Sequence, residues 1–331
     1  MTHEALAPLT AAGLLLTDHC PARCRHCYVG AGPYRSAWMS VADARSHLAA
    51  LARLGVPAEG VHIGGGEPFG DVDRLLAIVR AARDAGLDGI GYVETSGAWA
   101  VSETVIRDHL AALAEAGMRQ LSISADPYHQ EFVPAERVER LYAIARDVLG
   151  PGGVRARRWK WLQAPEDVAA MEETDRLRLF ARSLARYPER MTGRAAAHLA
   201  PLVPRRPIDD LPADGCRTLL GSRHVHVDPH GWVVPGTCAG IALGRASAER
   251  PLDDILARWR LVDGTLIARL VGGGPRALLA DAMRAGFAPD PAGYADACHL
   301  CWSVRRHLAL AGAGGHELRP ANLYVDPEAR G

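Results

Sequence analysis

The sequence predicts an α/β fold: a partial (β/α)6-type TIM-like barrel followed by a small C-terminal domain made of a β-hairpin plus helices. Three observations predict it. Short apolar runs ending in polar or glycine-rich loops alternate with capped helical patterns four or five times, which means a parallel sheet with right-handed crossovers. The length, 331 residues, suits a barrel-like domain with an appendage. Pro201, Pro204, Pro207 and Pro212 then break regularity, placing a boundary between residues 1–205 and 206–331.

The elements follow in order. Leu14 to Thr17 reads as a short buried strand that delivers a cysteine-rich loop. Ser40 is an N-cap, and Val41, Leu48, Leu51 and Leu54 share one helical face before Gly55. Val61–Ile63 is a second strand, running into Gly64-Gly65-Gly66-Glu67-Pro68. Asp71 caps a helix bearing Val72, Leu75, Leu76 and Val79, closed near Gly86. Gly89 to Val93 is the third strand, ending in Glu94-Thr95-Ser96-Gly97. A Ser102-capped helix runs to Gly117, and Leu121–Ser124 is the fourth strand, leading into Ala125-Asp126-Pro127-Tyr128-His129. A helix from Pro134 to Leu149 precedes a fifth strand from Val154 to Leu162. The pattern from Glu166 to Leu202 is helical, with Leu177, Leu179, Phe180 and Leu184 apolar. Farther on, His224–Val227 and Trp232–Val234 flank the turn Asp228-Pro229-His230-Gly231 as a hairpin, and short helices follow around Leu252–Arg258 and Arg276–Ala285.

Composition narrows the function. Hydrophobic residues make up 48% of the chain, enough to bury a sizeable core. The 38 basic residues balance 38 acidic ones, so no strong field points to nucleic acid or an anionic membrane. Lys160 is the single lysine, a bias read as genome composition. No apolar run is long enough to span a bilayer, and the N-terminus makes a poor signal peptide. Seven clustered cysteines suit metal ligation in a reducing cytosol better than a disulfide framework, so the expected location is cytoplasmic.

The chemistry starts at Cys20, Cys24 and Cys27, three thiols in one loop at offsets of four and three. Iron–sulfur clusters normally take four thiolates. Three close cysteines with no local fourth hold a cubane by three corners and leave one iron open for a small molecule. Gly65 and Gly66 let a backbone approach a ligand closely, and the Glu67 carboxylate or a neighbouring carbonyl can accept from an ammonium group.

This order of motifs resembles the radical S-adenosylmethionine (radical SAM) superfamily over residues 10 to 165. The resemblance implies that Cys20, Cys24 and Cys27 hold a [4Fe–4S] cluster whose open iron chelates SAM. It implies that the Gly65-Gly66-Glu67 loop binds the amino group of SAM. His26 stands where family members often have an aromatic residue before the third cysteine. Glu94, Ser96, Ser124 and Asp126 are candidate contacts for the ribose and methionine of SAM, with Thr95 and Ser122 beside them. The bland alternative for Asp126 is a turn residue. His129 is a candidate proton donor or substrate contact, with an ordinary loop histidine as the alternative. Arg155, Arg157 and Lys160 either meet a carboxylate or occupy an exposed face.

Cys216, Cys238, Cys298 and Cys301 remain, and four thiolates close a metal site. The hairpin and these cysteines resemble the single-cluster twitch type of the SPASM and twitch domains that follow many radical SAM cores. That resemblance implies one auxiliary [4Fe–4S] cluster; zinc on the same four ligands is the rival. The implied reaction is reductive cleavage of SAM to a 5′-deoxyadenosyl radical, with hydrogen abstraction from substrate and the auxiliary cluster accepting an electron. The expected enzyme is a radical SAM oxidoreductase or maturase that oxidatively modifies a ribosomal peptide side chain in natural-product biosynthesis. The alternative substrate is a small metabolite such as an aminocyclitol or sugar; only nineteen residues precede Cys20, which weighs mildly against a leader-binding maturase. A flavodoxin- or ferredoxin-like donor is the expected partner. A non-catalytic zinc-binding protein is the alternative of another class.

Overall fold

The computed structural model describes residues 5–163 and 166–325. Eight strands form one sheet in the order β5-β4-β3-β2-β1-β6-β7-β8. Strands β1 (Ala11–Leu15), β2 (Val61–Gly64), β3 (Tyr92–Thr95), β4 (Leu121–Ser124) and β5 (Val154–Arg157) are parallel neighbours in sequence order. Helices α1 (Val41–Arg53), α2 (Val72–Asp84) and α3 (Glu103–Ala116) connect the first four. Short α4 (Pro127–Gln130) and long α5 (Ala135–Leu149) lead into β5. The expected alternation is therefore present.

Local chemistry places the helix starts where the sequence predicts. Ser40, Asp71 and Ser102 each accept a hydrogen bond from the backbone N–H three residues on, worth about 1 kcal/mol apiece. Gly117 ends α3 with φ of 119°, a conformation that favours glycine. Ala44, Leu48 and Leu51 of α1, with Leu75, Ile78 and Val79 of α2, are fully buried against the sheet in one apolar core.

Three boundaries differ from expectation. The first strand runs over Ala11–Leu15 rather than Leu14 to Thr17. The fifth ends at Arg157 rather than Leu162, because Arg158 adopts φ of 61° and turns the chain into the short α6 (Lys160–Gln163). The helical pattern from Glu166 to Leu202 is α7 (Glu173–Arg186) plus a separate turn at Arg194–His198, with extended chain between. A second apolar cluster explains this break: Leu179, Phe180 and Leu184 of α7 pack with Tyr128, Cys20 and Cys24 beneath the cysteine loop.

The hairpin forms as expected from β6 (His224–Val227) and β7 (Trp232–Pro235), with β8 (Gly244–Arg245) beyond. Its turn is tied by Asp228 Oδ1, which accepts from the backbone N–H groups of His230 and Trp232. The position of β6 was not foreseen. It pairs parallel with β1, Gly13 opposite His226, so the hairpin continues the main sheet. No helix among the described residues is long and apolar enough to cross a membrane.

Candidate active site

The loop after β1 is zipped to the loop after β2. Leu16 N–H donates to Gly64 O, Gly66 N–H to Thr17 O and Glu67 N–H to His19 O. A Cβ at Gly66 would sit 1.9 Å from the His19 carbonyl oxygen, and one at Gly65 2.6 Å from that of Thr17. Their lack of side chains thus admits the cysteine loop itself. Both glycines then line a cavity of about 270 Å³ together with Cys20, Cys24 and Cys27.

The three thiols fit a cluster. Cys20 and Cys24 are buried, and Cys27 is half-buried. Burial, then Glu67 and the neighbouring Cys24, push the Cys20 thiol far up. A thiol so placed deprotonates when a polycation binds it. Arg194 braces the loop: its Nε donates to Cys24 O at 3.0 Å and its backbone N–H to Cys27 O at 3.1 Å. Gly193, at φ of 59°, lets that backbone pass against Tyr28.

Glu67 does not offer its carboxylate to the cavity. It is 2% exposed and accepts from Thr95 Oγ1 (2.9 Å), Ser96 N (2.9 Å), Ser96 Oγ (2.5 Å) and Phe69 N (3.3 Å). It therefore joins the β2 and β3 loops, and any contact from this segment to a ligand falls to the glycine backbone. Glu94, Thr95, Ser96 and Ser124 do line the cavity, as the strand-end rule expects. Glu94 also pairs with Arg157 at 3.2 Å.

Asp126 lies behind the cavity rather than on it. It is buried among His129 (2.9 Å), His26 (3.8 Å) and Arg158 (3.8 Å), which together hold its carboxyl far below the usual range despite burial. The same carboxylate holds the buried His129 imidazole up, with Cys24 adding to the effect through charge and a hydrogen bond. His129 thus reaches the cavity as an Asp126-oriented donor beside a candidate cluster ligand. Ser122 accepts from Arg155 Nε at 3.0 Å, away from the cavity wall, and Lys160 is exposed on α6.

The residues missed in the sequence sit after α7, up to the first residue of the helical turn Arg194–His198. Glu189, Arg190, Thr192 and Arg194 all line the cavity, with Arg158 paired to Glu189. Their segment reads as helix, so no local signal marks them. Thr237, just past the hairpin, completes the wall.

The C-terminal cysteines converge. Cys298 and Cys301 stand on the first turns of the helix Ala297–Leu310, capped by Asp296, whose Oδ1 accepts from His299 N–H. Cys238 follows β7, and Cys216 is anchored by its N–H on Leu270 O. Burial and then Cys301 raise the Cys216 thiol; burial lifts Cys298 to about 12. Burial lifts Cys238 to about 11, against the opposing charges of Arg305 and Arg190. The guanidinium of Arg305, 2% exposed, donates to Cys301 Sγ at 3.3 Å. Arg190 Nη1 lies 3.6 Å from Cys238 Sγ. Arg190 therefore belongs to both cysteine sets.

Residues 14–163 match the family described as the Radical SAM superfamily. The matched segment contains Cys20, Cys24 and Cys27 and the Gly65-Gly66-Glu67 loop. Among solved structures, the crystal structure of BtrN in complex with AdoMet and 2-DOIA is 14% identical, with a TM-score of 0.45. The alignment covers 81% of this chain and 89% of that one. No curated protein matches the sequence.

Proposed function

We propose that this protein is a radical SAM oxidase with two clusters, one open and one closed. The observation that carries this reading is the convergence of two separate cysteine sets, of three and of four, on Arg190. Cys20, Cys24 and Cys27 would hold the first cluster, and SAM would lie over Gly65 and Gly66 between Glu94, Ser96 and Ser124. When bound and reduced, the cluster and SAM supply cleavage of the sulfonium and the hydrogen-abstracting radical that follows. Cys216, Cys238, Cys298 and Cys301 would hold the second as the electron acceptor, making the net reaction an oxidation. Four thiolates suit a closed cluster, and zinc on the same four is the rival that metal analysis separates.

The protein's own groups do the rest. Arg194 fixes the carbonyls of the cysteine loop, and Asp126 orients His129 against Cys24. Glu189, Arg190 and Thr192 form part of the cavity wall. Arg190 offers a cation to the substrate between the two cysteine sets.

The substrate reading we favour is a peptide side chain. A groove of about 570 Å³, floored by Tyr294 and Trp302, shares Arg194 with the cavity and has room for an extended chain. A small polyol or aminocyclitol is the second reading, favoured by the polar wall of Glu94, Ser124, Arg157 and Thr237. A flavodoxin- or ferredoxin-like protein is the proposed reductant. The test uses anaerobically reconstituted enzyme with a peptide encoded beside its gene. Cys24→Ala should abolish SAM cleavage, and Cys298→Ala should keep cleavage but lose oxidised product. Wild-type product yield from Cys298→Ala would refute the acceptor role, and deuterium transfer from a metabolite but no peptide would select the second substrate class.

A further inference from the structure

Away from both cysteine sets, three imidazoles meet on one face of the sheet. His62 comes from β2, and His224 and His226 from β6. The strand between them, β1, places Gly13 opposite both His62 and His226. A Cβ at Gly13 would lie 2.4 Å from each of those two rings, so the absence of a side chain creates the space where they meet. One ring nitrogen from each histidine falls in a group whose members all lie within 4.8 Å. The residues come from segments more than 160 positions apart, and only the unforeseen pairing of β6 with β1 assembles them.

The hydrogen bonds decide what these nitrogens can do. His226 Nδ1 is 2.6 Å from Gly236 O, so that nitrogen carries the proton and Nε2 presents a lone pair. His226 Nε2 faces His62 Nε2 at 3.3 Å. His224 Nε2 is buried with no partner. A chain of hydrogen bonds through His62 would leave His224 Nε2 unsatisfied, which costs about 1–3 kcal/mol by the general rule for buried polar atoms. A divalent cation satisfies all three. Two imidazole nitrogens bonded at about 2.0–2.1 Å in a tetrahedral site stand about 3.3 Å apart, the separation seen between His62 and His226. The Gly236 carbonyl supplies the outer hydrogen bond that orients a ligating histidine.

We propose that His62, His224 and His226 form a zinc site that fastens the hairpin to the parallel sheet. Three protein nitrogens leave the fourth position to water. The site ties β6 to β2 across β1, and β6 leads through β7 to Thr237 and Cys238. Zinc there holds the C-terminal cysteines in register with the cavity, independently of what either cysteine set binds.

The experiment loads anaerobically reconstituted, iron-replete protein with Zn2+, desalts it, and measures zinc, iron and the zinc K-edge absorption spectrum. The expected result is one zinc per chain with a nitrogen and oxygen shell near about 2.0–2.1 Å, no sulfur near about 2.3 Å, and unchanged iron. His62→Gln and the half-buried His224→Asn should each weaken zinc binding by more than about 100-fold, beyond what outer-shell changes do. The far-ultraviolet circular dichroism spectrum serves as the folding control for both. Failure to retain zinc, sulfur ligation with loss of iron, or unchanged affinity in a folded His224→Asn protein would each overturn the proposal.

Discussion

The guanidinium of Arg190 lies 3.6 Å from the sulfur of Cys238, while the same side chain lines the cavity walled by Cys20, Cys24 and Cys27. Arg190 is exposed to solvent, and its charge opposes the upward push that burial gives the Cys238 thiol. Solvent screens an exposed charge, so this contact contributes about 1 kcal/mol or less.

Arg190→Met should therefore lower product formation by up to about fivefold, the same energy expressed as a rate. Removal of a donor to sulfur should also lower the reduction potential of the second site. SAM cleavage without substrate should stay close to wild type, because Arg194 rather than Arg190 holds the cysteine loop. Parallel measurement of 5′-deoxyadenosine and product checks this. Equal loss of both would place Arg190 in the SAM site instead.

Glu67 is a brace. Glu67→Ala leaves the Thr95 hydroxyl, the Ser96 hydroxyl and the Ser96 N–H without their acceptor. With about 1–3 kcal/mol for each buried group so orphaned, the variant should lose about 3 kcal/mol or more in denaturant unfolding. Glu67→Gln, which keeps an acceptor oxygen, should lose less. A loss below about 1 kcal/mol together with abolished SAM binding would mean that the carboxylate touches the ligand.

How much of this was legible in the chain depends on how local each signal is. The cysteine loop and Gly65-Gly66 carry their meaning in adjacent residues, and Ser40, Asp71 and Ser102 announce helices within four positions. The partners of the Glu67 carboxylate, Thr95 and Ser96, arrive from the next strand end, and nothing beside Glu67 in the chain marks them. Arg190 and Arg194 were missed because a helical reading carried the periodicity of Leu177 to Leu184 across Pro188, where the helix has already ended. The alternation His224-Val225-His226-Val227 announced a strand and a hairpin. Nothing in it said that β1, more than two hundred residues earlier, would be its parallel neighbour.

His47 on α1 gives a pH dependence separate from any cysteine. Burial holds its imidazole down to about 4 from an ordinary 6.5, with Asp43 opposing. A depressed imidazole contributes stability that is present above 6.5 and lost as pH falls toward 4. At pH 5.5 that loss is about 1.4 kcal/mol. Unfolding of wild type and His47→Leu at pH 7.5 and 5.5 should show the wild type losing that much more than the variant. Identical pH dependence in the two proteins would contradict the assignment.

On the proposed function, the seven cysteines make two sites rather than one, and iron content tests this most directly. Wild-type protein reconstituted without oxygen should hold about eight irons per chain. A variant with Cys216, Cys238, Cys298 and Cys301 all changed to alanine should hold about four and still cleave SAM. About four irons in both proteins, or zinc in place of the second four, would contradict it.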